Sequence, residues 1–66
     1  MLLSAYPERE IGIVIQFLKH RPASTTDEIA DSTGIERIEV FHCLNVLLER
    51  QIAAQMPTSP QRWILK

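Results

Sequence analysis

The stretch TTDEIADSTGIERIEVFHCLNVLLER, residues 25–50, predicts two helices joined by a tight turn. Thr25 and Glu28 have the spacing of a capping box, in which the threonine hydroxyl accepts from one main-chain amide and the glutamate carboxylate accepts from another. Gly34 is expected to stop the first helix, because a residue without a Cβ takes the left-handed conformation at little cost. The first helix is therefore predicted over residues 25–33.

The second helix is predicted over residues 36–50. Steps of 100° per residue divide it into an apolar core face and an outward face. The core face carries Val40, Cys43, Leu44, Leu47 and Leu48. The outward face carries Ile38, His42, Asn45 and Glu49, with Arg37 and Phe41 along one edge and Glu39 and Val46 along the other. We expect this outward face to contact a partner.

The chain has 66 residues, 45% of them hydrophobic, and a formal net charge of −1. This length predicts one domain over residues 1–66. No apolar run approaches the roughly 18 residues of a membrane span, and the start MLLSAYPEREIG lacks the basic region of a signal peptide. The single cysteine, Cys43, is typical of a reducing compartment. We expect an intracellular protein without a membrane partner, cytoplasmic and at the nucleoid if the chain is bacterial.

The flanking segments complete a recognisable order of elements. Ahead of this pair, an N-terminal helix is predicted over residues 7–20, with acidic residues at its start and basic residues at its end. Ala23 and Ser24 suit a short strand, and residues 52–65 predict a hairpin that turns at its Pro- and Ser-rich centre. Helix, strand, helix, helix, hairpin is the order of an α+β winged helix-turn-helix domain, with three helices and a small antiparallel sheet.

The N-terminal helix has an apolar face formed by Ile11, Val14, Ile15 and Leu18. Ile13 and Phe17 lie outside this face, so another part of the protein or a partner is expected to cover them. Either the apolar start Met1, Leu2 and Leu3 folds back on them, or the N-terminal helix forms a homodimer interface. The sequence leaves both alternatives open.

The sequence predicts neither catalysis nor a bound metal or cofactor. His20 and His42 lie in different elements, without a Cys/His cluster at metal-ligand spacing. Gly12 and Gly34 are the only glycines, so there is no glycine-rich phosphate loop.

A helix-turn-helix pair predicts binding to double-stranded DNA, with the second helix in the major groove and the wing on the backbone. Asn45 suits adenine, Arg37 suits guanine or phosphate, and His42 suits either. Arg62 and Lys66, near the wing, are expected to contact phosphates. The candidate nucleic-acid contacts are Arg37, Phe41, His42, Asn45, Ser59, Pro60, Arg62, Trp63 and Lys66.

The charge balance favours a second hypothesis from another class. Most autonomous nucleic-acid binders carry a positive excess, which this chain lacks. Ile38, Phe41 and Val46 offer apolar surface on the outward face, as expected of a module that binds another protein. Ile13, Phe17, Ile38 and Val46 are therefore the candidate interface residues.

Four segments resemble small bacterial fimbrial regulators of the PapI and FaeA type. They are VIQFLKHR (14–21), TTDEIA (25–30), CLNVLLER (43–50) and RWILK (62–66). This resemblance implies a transcriptional co-regulator with weak DNA affinity alone and stronger affinity beside a larger DNA-binding protein.

The segment ASTTDEIADSTG (23–34), with the later Ser59-Pro60 and Trp63, is similar to the Zα domains that bind left-handed nucleic acid. By this resemblance Arg37 stands at a basic phosphate contact, Pro60 at a wing proline and Trp63 at the family's tryptophan. The resemblance implies left-handed DNA or RNA as the ligand.

Two positions depart from that pattern. The Zα helix asparagine falls on Phe41, and the base-stacking tyrosine falls on Asn45. Trp63 is assigned either to the nucleic-acid contact or to the core of the wing. The sequence thus predicts a DNA-binding transcriptional regulator or co-regulator, with a Zα-like domain and a protein-interaction module as alternatives.

Overall fold

The computed structural model describes residues 7–66, which form three helices and three strands. In chain order these are α1 (Glu8–His20), β1 (Ser24–Thr25), α2 (Thr26–Thr33), α3 (Arg37–Glu49), β2 (Ala53–Met56) and β3 (Arg62–Leu65). The predicted α+β winged helix-turn-helix fold is confirmed. Each helix begins one residue later than predicted, because Pro7, Thr25 and Glu36 are caps, and Arg50 caps the end of α3. No helix in this part of the chain has the length and apolarity that a membrane span requires.

The start and end of α2 follow the predicted chemistry. The Thr25 hydroxyl accepts from the Glu28 amide at 3.1 Å, and the Glu28 carboxylate accepts from the Thr25 amide at 2.9 Å. Gly34 ends the helix with φ of 77°, and its amide donates to the Ala30 carbonyl at 3.0 Å. The capping box and the glycine stop are both confirmed, and they fix the short turn that leads into α3.

A second left-handed residue ends α3. Gln51 has φ of 62°, its amide donates to the Leu48 carbonyl at 3.1 Å, and the Ile52 amide donates to the Leu47 carbonyl at 2.9 Å. This pair of bonds is a Schellman motif formed without glycine. It turns the chain directly from α3 into the wing.

The sheet is antiparallel, in the order β1-β3-β2. In β3, the central strand, Trp63 is paired with Ser24 on one side and with Gln55 on the other. The loop between β2 and β3 is folded on itself, since Thr58 donates from its amide to the Met56 carbonyl and from its hydroxyl to the Pro60 carbonyl, each at 2.8 Å. The Ser59-Pro60 bond at the tip is cis.

The core lies between the helices and the inner face of the sheet. Its buried apolar residues are Ile11, Val14, Leu18, Ile29, Val40, Cys43, Leu44, Val46, Leu47, Ala53 and Trp63. Val46 was expected on the outward face, and this prediction is wrong because its side chain is only 4% exposed. The helix α3 packs against α1, α2 and β2 together, so its buried surface is wider than the single apolar face predicted from helical periodicity.

Ile13 and Phe17 are both half-buried, and Phe17 packs against the core. The proposed cover by Met1, Leu2 and Leu3 lies outside the described residues. The homodimer through α1 stays a prediction.

Candidate nucleic-acid interface

A groove of about 250 Å³ runs between the start of α3 and the tip of the wing. Arg37 and Phe41, one helical turn apart, form its α3 side. Pro60 and Gln61 form its wing side. Thr25, Thr26 and Asp27 at the start of α2 complete its lining. The turn at Gly34 and the pairing of β1 with β3 bring these three segments together.

Arg37 and Asp27 are the charged residues of this groove. The Arg37 Nε donates to Asp27 Oδ1, and the two side chains are 70% and 71% exposed. A guanidinium at the first residue of a helix meets the positive end of the helix dipole, whereas a carboxylate in the first turn is favoured there. Asp27, in the first turn of α2, therefore stabilises the charge of Arg37, which the dipole of α3 disfavours at that position.

Large apolar side chains are exposed on the same part of α3. Ile38 is 76% exposed and Phe41 is 45% exposed. Both were predicted on the outward face, and their exposure is confirmed. Phe41 also lines the groove beside Pro60, so one aromatic ring is offered both to the groove and to the solvent.

Most of the remaining predicted contacts are also accessible. His42, Ser59 and Lys66 are exposed. Asn45 is half-buried, and its side-chain amide donates to the Phe41 carbonyl at 3.0 Å. One of its two N–H groups is thus used inside α3, which reduces its capacity to read a base edge.

Trp63 does not reach the surface. Its side chain is fully buried, and its indole Nε1 donates to the Thr26 hydroxyl at 3.2 Å. The assignment of Trp63 as a nucleic-acid contact is therefore wrong, and its alternative, the core of the wing, is correct. The tryptophan instead joins the central strand to the first turn of α2.

Arg62 is placed outside the groove. Its Nη1 donates to the Ala23 carbonyl at 2.7 Å and lies 3.6 Å from a Glu28 carboxylate oxygen. It lines a separate polar depression with Phe17 of α1, with the segment 21–24 and with residues of α2. These contacts hold the guanidinium against the backbone before β1, away from Phe41 and Pro60.

Four groove residues were not among the predicted contacts: Thr25, Thr26, Asp27 and Gln61. Asp27 has an obvious local role at the start of α2, which conceals its longer-range pairing with Arg37. Gln61 is next to the predicted Pro60, so the wing motif could have pointed to it.

Acidic residues dominate the neighbouring surface of α3. Glu36, Glu39 and Glu49 are exposed, and the first two line a shallow depression with Glu10 of α1. Within residues 7–66 no three potential ligands form a metal cluster. Of these acids, Glu36 is next in sequence to Arg37, so its negative charge lies at the same end of α3 as the groove.

The fold and the groove between helix and wing define a winged helix-turn-helix domain. No protein-family model matches the chain, and its sequence matches no curated protein significantly. Solved structures do match it. The Zα domain of PKZ from Carassius auratus, in complex with Z-DNA, has a TM-score of 0.84 at 22% identity, covering 89% of this chain and 95% of that one. A Zα domain of Cyprinid herpesvirus 3, described in its binding mode to Z-DNA, has a TM-score of 0.82 at 25% identity, covering 98% of this chain and 100% of that one.

Proposed function

We propose that this chain binds double-stranded DNA through the groove between α3 and the wing, with the left-handed duplex as its best-supported form. The observation that carries the proposal is the groove itself, in which Arg37 and Phe41 of the helix face Pro60 and Gln61 of the wing. Its support is the similarity to two Zα domains, each described with Z-DNA. The proposed activity is binding without catalysis.

The residues suggest how the contact is divided. Arg37 pairs with a phosphate, because a guanidinium matches phosphate oxygens in charge and geometry. Phe41 and Pro60 pack against sugar or base edges, and the Gln61 amide can donate to a backbone oxygen. Arg37 is the cation of the groove, and His42 is exposed one residue after Phe41, so affinity depends more on matching the backbone shape than on total charge.

This division predicts a shallow salt dependence. Each neutralised phosphate contributes about −0.9 to the slope of log K against log salt concentration on B-DNA. One or two contacts predict a slope of about −1 to −2. Many basic DNA binders have far steeper slopes. The measured slope therefore separates binding by backbone shape from binding by total charge.

The test is fluorescence anisotropy with a CG-repeat duplex held in the left-handed form and with a random-sequence duplex, each across a salt series. We expect tighter binding to the left-handed duplex. Arg37→Ala should weaken that binding about threefold to tenfold, by loss of one charge-assisted contact. Arg9→Ala removes the same charge from α1, outside the groove, and should change affinity by less than about twofold. Equal effects of the two substitutions would argue against the groove.

A second function has its own observation. Ile38 is 76% exposed, and it is apolar surface that DNA binding through Arg37 and Phe41 does not use. A protein-interaction module predicts no binding to either duplex at low salt. It also predicts a complex that Ile38→Ala abolishes. A role in transcription regulation, alone or beside a larger DNA-binding protein, stays a prediction, as do the homodimer and the extent of one domain over residues 1–66.

A further inference from the structure

The ion pair between Asp27 and Arg37 occupies the groove at the place where a phosphate is expected. Asp27 is in the first turn of α2, and Arg37 is the first residue of α3. Their side chains meet at the groove wall, through Arg37 Nε and Asp27 Oδ1. A phosphate that approaches Arg37 therefore meets a carboxylate that already accepts from the guanidinium Nε.

We propose that Asp27 is an internal competitor of phosphate for Arg37, and that it lowers the affinity of the domain for nucleic acid. This inference rests on the proposed function, and it makes Asp27 a positioning residue that acts through Arg37. Two effects act in the same direction. The carboxylate holds the guanidinium, and its negative charge repels the incoming phosphate.

The exposure of the pair makes the exchange possible. Both side chains are about seven-tenths exposed, and ion pairs this exposed shift an equilibrium by about fivefold at most. A phosphate can thus displace Asp27 without breaking a buried contact. The ion pair therefore lowers the affinity for nucleic acid moderately and does not block access of a phosphate to the groove.

The exchange has a signature in salt dependence. When phosphate replaces the carboxylate, Asp27 is left without its ion-pair partner next to the DNA backbone. It then takes up a solution cation, which offsets one of the cations released from the DNA. Removal of the Asp27 charge should therefore steepen the slope of log K against log salt by up to about one. A purely structural effect of the substitution would change affinity without this change in slope.

The experiment compares Asp27→Asn with Asp31→Asn on the left-handed CG-repeat duplex and on the random-sequence duplex. Asp31 is an exposed acid of the same helix that lines the depression on the Arg62 side and not the groove, so both substitutions change net charge equally. We expect Asp27→Asn to tighten binding about threefold to tenfold and to steepen the slope. Asp31→Asn should change affinity by less than about twofold. Circular dichroism of both variants checks that the fold is kept.

The dependence on Arg37 is tested in a double-mutant cycle. In the Arg37→Ala background, Asp27→Asn should tighten binding by no more than about twofold, because only the repulsion of phosphate is then removed. An undiminished gain in that background would overturn the inference. So would wild-type binding that Asp27→Asn leaves no tighter than Asp31→Asn does, and either result would leave the proposed function standing. If neither the wild type nor Asp27→Asn binds either duplex at low salt, the proposed function is refuted and the inference with it.

Discussion

Thr26→Val tests how strongly the wing is joined to the start of α2. The indole Nε1 of Trp63 donates to the Thr26 hydroxyl at 3.2 Å, and both residues are buried. Valine keeps the branched shape of threonine but has no acceptor. The substitution therefore leaves a buried indole N–H without its partner, in a side chain that the rest of the core surrounds.

The expected cost follows from these contacts. A buried donor deprived of its acceptor costs about 1–3 kcal/mol, and the extra buried methyl group of valine recovers up to about 0.8 kcal/mol. The free energy of unfolding should fall by about 1–2 kcal/mol. In a domain of 66 residues this lowers Tm by about 5–15 °C. Thermal denaturation followed by far-ultraviolet circular dichroism measures the shift, and urea denaturation should give an unchanged m-value.

Trp63→Phe supplies the background that decides the cause. Phenylalanine has no N–H, so in that background Thr26→Val should cost less than about 0.5 kcal/mol. The Trp63→Phe variant is itself less stable because it leaves a cavity, which the cycle subtracts. If Thr26→Val costs the same in both backgrounds, the hydrogen bond is not the source of the stability and the reasoning fails.

Further predictions concern two glycines and the buried cysteine. Gly34→Ala should lower the free energy of unfolding by about 1 kcal/mol, because φ is 77° there, whereas Gly12→Ala, in mid-helix with nothing within 4 Å of an added Cβ, should raise it by about 0.5–1 kcal/mol. Urea denaturation of the two variants checks this, and the opposite order would contradict it. Burial, with smaller contributions from Glu39 and Glu10, raises the pKa of the Cys43 thiol to about 11. The folded state therefore favours the protonated thiol, so stability present below about pH 9 should be lost as pH rises towards 11, by at most about 3 kcal/mol. Cys43→Ala should lack this loss, and an identical pH profile of the two proteins would refute the assignment.

Local chemistry explains why the helix-turn-helix could be predicted. The partners in the capping box are three residues apart, and Gly34 needs only its own φ to end α2. Such features are determined by neighbouring residues, and they carry the order of elements that defines the fold. The same holds for the exposure of Ile38, which helical periodicity alone predicts.

The incorrect or missing assignments depend on how the elements pack. The pairing of Asp27 with Arg37 joins residues 10 apart, across a helix crossing that the sequence does not determine. Val46 lies at the edge of a helical wheel, and it is buried because α3 packs against several elements at once. The sequence allowed Trp63 to be either a nucleic-acid contact or part of the wing core. Its burial in the paired strand β3 decides for the core.

The loop of the wing is already ordered by its own bonds. Thr58 ties the tip together through the carbonyls of Met56 and Pro60, so little conformational entropy remains to be lost there on association. The association rate constant should then not be limited by ordering of the wing loop. Since the wing loop is ordered before association, a change in backbone shape on binding falls mainly on the nucleic acid, and duplexes that deform easily should be preferred.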